Sequence, residues 1–65
     1  MKVMYIVNGA STARNGGIIH WTDSAYTDME HTTEVANRMY EANRDDPNYM
    51  TYVTGPIPLY EKIEL

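Results

Sequence analysis

Asn8–Gly17 reads NGASTARNGG, a polar run with one cation and three glycines, set between the strand-like stretches VMYIV (residues 3–7) and GIIHW (residues 17–21). Two geometries compete for it. In the first, Asn15-Gly16 makes a tight type I′ turn and the leading strand continues through ASTAR past a bulge at Gly9. That pairs ASTAR with GIIHW and leaves VMYIV without its best partner. In the second, Val7 pairs near Ile18 and residues 8–17 form an open loop. Lengthening a hairpin loop from two to ten residues costs only about 1.4 kcal/mol of closure entropy, less than the roughly 1.5–3 kcal/mol from burying one large apolar side chain. The open loop is the expected form.

Outward from this loop the pattern is β-β-α-β. Lys2–Val7 is rich in β-branched and aromatic residues and is apolar on both faces, Val3, Tyr5 and Val7 on one and Met4 and Ile6 on the other, as a central strand would be. Gly17–Thr22 has less equal faces, which suits an edge. A helix follows in TDMEHTTEVANRMYEANRDDP, with Thr27 as the expected N-cap, Glu30 as its capping-box partner, and Pro47 forbidding continuation past about Asp45. Met29, Thr32, Ala36, Met39 and Asn43 recur at three- and four-residue spacing, with Val35 and Tyr40 widening the stripe, so one face is expected to meet a core. Asp45-Asp46-Pro47-Asn48 is turn chemistry. Tyr49–Thr54 makes the third strand, and Gly55-Pro56-Ile57-Pro58 is expected to end it, since proline is excluded from the middle of a sheet. Residues 59–65 either add a short edge strand or lie against the sheet.

The expected fold is therefore α+β, a small two-layer β-β-α-β unit with a mainly antiparallel sheet in order 2-1-3 and one helix on one face. One helix cannot cover both faces. The uncovered face carries either Met4/Ile6 or Val3/Tyr5/Val7, and homodimerisation through it is expected.

A chain of 65 residues with no cysteine is expected to form one domain with no disulfide or thiolate metal site. MKVMYIV stops short of a signal-peptide core, and no stretch approaches the roughly 20 apolar residues of a membrane span, so a cytoplasmic location is expected. Nine acidic against five basic residues, net charge −4, disfavour direct binding to nucleic-acid phosphates and suit a protein partner with a basic surface.

No motif supplies catalysis. The glycine-rich loop lacks the phosphate-loop spacing and runs into a strand, not a helix. His20 and His31 fall in no zinc-binding pattern, and Ser24, His20 and Asp23 have no nucleophile elbow. The expectation is a non-enzymatic protein with no cofactor and no metal. Its oddity is six tyrosines beside a single tryptophan and no phenylalanine, which favours half-exposed contact positions. The residues expected to touch a partner are Arg14 in the loop, Trp21, Tyr26, Tyr49 and Tyr52, and the helix-terminal carboxylates Asp45 and Asp46.

In its short, acidic, cysteine-free make-up, the opening MKVMYIV and its element order, the chain resembles small accessory proteins of bacteriophages and mobile elements, including anti-CRISPR and other anti-defence inhibitors. That resemblance implies occlusion of a functional surface on a larger host protein, a defence or nucleic-acid-handling one. The alternatives are a small-ligand or nucleotide sponge using the 8–17 loop with Arg14, and a structural or regulatory subunit of a larger assembly.

Overall fold

The structure, a computed structural model, describes residues 2–60. Its elements are β1 (Lys2–Thr12), β2 (Ile18–Tyr26), α1 (Met29–Asn43) and β3 (Tyr49–Leu59). The three strands form one sheet in order β2-β1-β3, with β1 antiparallel to both neighbours. β2 and β3 thus run parallel to each other, joined through α1. The α+β class, the antiparallel pairing and the 2-1-3 order are as the sequence pattern predicts.

The open 8–17 loop is not found. β1 continues to Thr12, opposite Ile18 on β2, and only residues 13–17 connect the strands. Ala13 N–H donates to Gly17 O at 2.7 Å and Gly16 N–H to Ala13 O at 3.0 Å, with Gly16 at φ 86°. Asn15 has a negative φ, so the turn is not type I′ but a turn closed by a left-handed glycine. The extended hairpin does not leave VMYIV unpaired, because β2 runs on to Tyr26, opposite Tyr5, and β3 runs to Leu59, opposite Lys2. The supposed choice between pairing ASTAR and pairing VMYIV never arises, because both flanking strands outlast their apolar cores. The bulge is also displaced: it lies opposite Val7/Asn8, with Asp23 as the extra residue of β2.

β3 does not end at Gly55. It passes through the cis Gly55–Pro56 bond with a register shift opposite Met4/Ile6 and pairs Ile57 with Met4 and Pro58 with Val3. Prolines are tolerated there because β3 is an edge strand and a missing N–H can face outward. Gly55 is required at φ 136°, and a Cβ on it would lie 2.8 Å from Met4 O. Most of the segment expected as a further edge strand, residues 61–65, lies outside the described residues.

At the helix start Thr27 is displaced as cap by Asp28, whose carboxylate accepts from Glu30 N–H at 3.2 Å and His31 N–H at 3.3 Å while its backbone stays extended. A carboxylate satisfies two orphan donors at the positive end of the dipole, which a hydroxyl one residue earlier cannot reach.

Alternation along β1 divides its side chains cleanly. Val7 shares a row with Ser24 and Val53, and it is fully buried, as is Thr32 on α1. Thr51 and Tyr49, two and four residues before Val53, are half-buried on the same side, and Tyr26 packs edge-on against His31 of α1 at 4.6 Å. The helix therefore covers the Val3/Tyr5/Val7 face, and Met4 and Ile6 belong to the uncovered one. Its core stripe is narrower than expected. Thr32 is buried and Val35, Ala36 and Met39 are half-buried, whereas Met29 and Tyr40 are about half exposed. Buried apolar side chains among the described residues amount to Val7 and Ala10, in a slab measuring 46 × 28 × 12 Å. Asn8, at the start of the supposed loop, is a buried strand residue whose Nδ2 donates to Thr54 Oγ1 at 2.9 Å and ties β1 to β3.

In urea unfolding, Asp28→Ala should lower stability by about 1 kcal/mol, while Thr27→Ala should stay within about 0.5 kcal/mol of the parent. Gly55→Ala should cost about 2 kcal/mol, through its positive φ and the contact with Met4 O.

Candidate functional site

α1 lies over β1 and β3 more than over β2, and its flank meets the outer strand β3 in a groove of about 660 Å³. One wall is helical. Thr33, Ala36, Asn37, Tyr40 and Arg44 line it at three- and four-residue spacing, beside the stripe that faces the sheet. The other wall is β3 from Tyr49 to Val53, and the floor at the helix end is Asp46-Pro47.

The turn that joins the walls is held by its own carboxylate. Asp46 Oδ1 accepts from Asn48 N–H at 2.9 Å, Asp46 O from Tyr49 N–H at 3.2 Å, and Asp46 N–H donates to Asn43 O at 2.9 Å. Asn48 O in turn accepts from Thr12 N–H at 3.0 Å, which anchors the turn to the end of β1. Arg44, next to Asp45 and Asp46 in the sequence, turns back to Glu41 at 3.2 Å, and Arg38 pairs with Glu34. Among the described residues, Asp45 and Asp46 form no ion pair, so their negative charge stays available at the mouth of the groove.

Of the residues singled out from the sequence, the fold brings Asp46 and Tyr49 together along this groove, with Asp45 adjoining and Tyr52 bordering it from β3. Tyr49 is half-buried and its hydroxyl accepts from Thr51 Oγ1 at 2.9 Å. Tyr52, in the row of Asn8, points to the uncovered sheet face, where its hydroxyl lies 3.2 Å from His20 Nδ1. Trp21 is a neighbour by way of Tyr49, their ring centroids 6.0 Å apart. The other two stand apart: Tyr26 is at the opposite end of β2, against His31, and Arg14 is exposed in the 13–17 turn.

The groove also uses residues the sequence reading assigned elsewhere. Tyr40 was expected to widen the core stripe, yet it is 53% exposed in the groove. Its position four residues after Ala36 was the available signal, but helical spacing does not say which flank lies beside a strand.

Ser24, His20 and Asp23 are not brought together as a set. His20 is in the row of Ala10 on the uncovered face, while Ser24 is in the row of Val7 under the helix and donates to Asp23 Oδ2 at 2.9 Å. Among the described residues no group of three or more His, Cys, Asp or Glu could hold a metal ion, and no helix is long and apolar enough to cross a membrane. No family model matches the chain, and comparison with curated proteins and with solved structures gives no significant match.

Trp21 rests on Gly9: a Cβ added there would lie 2.4 Å from the indole ring. Gly9→Ala should therefore push this single tryptophan off the sheet and away from Tyr49. The expected result is red-shifted Trp emission with easier quenching by acrylamide. An unchanged spectrum would show that the ring does not need the glycine.

Proposed function

We propose that this chain is a small acidic, non-catalytic binding protein that acts by occlusion, seating the α1–β3 groove on a functional surface of a larger protein. Small phage-type inhibitors of host defence or nucleic-acid-handling proteins would act in this manner, in the cytoplasm of the host cell. The observation that carries this reading is the groove itself. Tyr40 and Tyr49 offer exposed or half-exposed apolar surface there, beside two carboxylates that form no ion pair among the described residues. Aromatic side chains supply contact area at modest entropic cost, and unpaired carboxylates at the rim favour a basic counter-surface and speed its approach.

The sponge reading has lost its main support. Residues 8–12 are strand, so the loop that would cradle an anion shrinks to residues 13–17 around one arginine. Direct contact with nucleic acid is likewise disfavoured by the acidic groove mouth.

Affinity capture from host lysate with the unaltered chain identifies the partner, and variants then assign the surface. Tyr40→Ala, on an exposed side chain, should weaken the complex about 10-fold or more. Asp45→Asn with Asp46→Asn should slow association several-fold at low salt and have little effect at high salt, because an asparagine at 46 can still accept from Asn48 N–H. A complex indifferent to all three changes would overturn the assignment of the groove.

A further inference from the structure

The sheet face that α1 leaves bare differs in kind from the rest of the surface. From Met4 to Thr12, the paired rows on that face contain no Asp, Glu, Lys or Arg, in a chain with nine acidic and five basic residues. The charges bordering it are Lys2, in the next row of the same face opposite Leu59, and Asp23, the unpaired bulge residue on the outer strand β2. Its exposed apolar members include Ile18, Met50 and Tyr52, at 63, 60 and 37%.

We infer that a second copy of this chain covers this face, the two sheets packing against each other across a two-fold axis with the helices outside. Three observations favour a second copy over a different protein. Homodimer interfaces are more apolar and poorer in charge than transient ones, and this face has that composition, unlike the groove. Two copies each of charge −4 repel wherever their acidic helices or turns meet, and this face is where they can touch without opposing carboxylates. Finally, the buried apolar side chains among the described residues are Val7 under the helix and Ala10 on the bare face, a sparse core that sheet-on-sheet packing would extend on the bare side.

Nine residues of β1 span about 30 Å and three strands about 14 Å, hence about 400 Å² in projection, and a stable interface of about 800 Å² of accessible surface per partner would occupy the whole face. This inference does not rest on the occlusion reading, since it uses the opposite side of the sheet, and either can fail without the other.

The test is sedimentation equilibrium, or size exclusion with light scattering, on the full chain at high micromolar concentration. A mass of about 15 kDa is expected, twice the 7.5 kDa of one chain. Met50→Glu and Ile18→Glu alter side chains that are mostly exposed in one copy, so each should yield a monomer with an unchanged far-UV circular dichroism spectrum. Thr22→Glu, also exposed on this face, serves if either variant loses that spectrum. Tyr40→Glu in the groove should leave the dimer intact. A monomer at that concentration overturns the inference. So does a dimer that Tyr40→Glu breaks and Met50→Glu does not, which would place the contact on the groove, or a monomer that holds a different protein through Met50.

Discussion

Val7 meets Ser24 on one side and Val53 on the other, and α1 closes over that row with Thr32 buried on its inner side. This is the point at which all four elements are held together, and it exists because β1 is hydrogen-bonded along both edges. The position of each outer strand follows from β1, and the helix has to return from the Tyr26 end of the sheet to the Tyr49 end to join them. Having crossed one face, it cannot serve the other. The narrow core, the groove along β3 and the bare face are three results of that single crossing.

The sequence made the element order, the central place of β1 and the helix legible, since each rests on local periodicity within a few residues. What it did not disclose were the strand ends. Ser11 and Thr12 carry no apolar signal, and they are strand residues only because Ile19 and Ile18 pair with them from the other arm of the hairpin. Pro56 and Pro58 read as breakers, yet their effect depends on whether β3 has a neighbour on its outer side. Asp28 and Thr27 are both good caps by type, and a one-residue difference in backbone conformation chooses between them. The candidate site was legible in its chemistry and not in its shape. Tyr49, Tyr52 and Asp46 stood out as residue types, but the groove needs Ala36 and Tyr40 to stand beside β3, a long-range fact that no spacing encodes.

Charge is sorted by element. Glu30, Glu34, Arg38, Glu41 and Arg44 belong to the helix or its C-cap, Asp45 and Asp46 to the turn after it, and Asp23 to a bulge, so the paired sheet rows between Met4 and Thr12 stay neutral. The two helix ion pairs are exposed and add little stability. Their effect is to cancel charge along the middle of α1 and leave the net negative potential concentrated at its ends. A partner drawn by charge is thereby directed to the turn, while apolar contact is available elsewhere.

The prolines of β3 have a consequence for how copies of this chain could polymerise. A sheet with two free edges invites head-to-tail growth, β2 of one molecule adding to β3 of the next, and such an arrangement has no symmetry that closes it. Pro56 and Pro58 remove two amide donors from the β3 edge, so its far half offers an incoming strand a broken ladder. β2 carries no proline, but joining β2 to β2 consumes the same edge on both molecules and stops at two. The same residues that make the end of β3 look unlike a strand thus protect the fold from open-ended fibre growth.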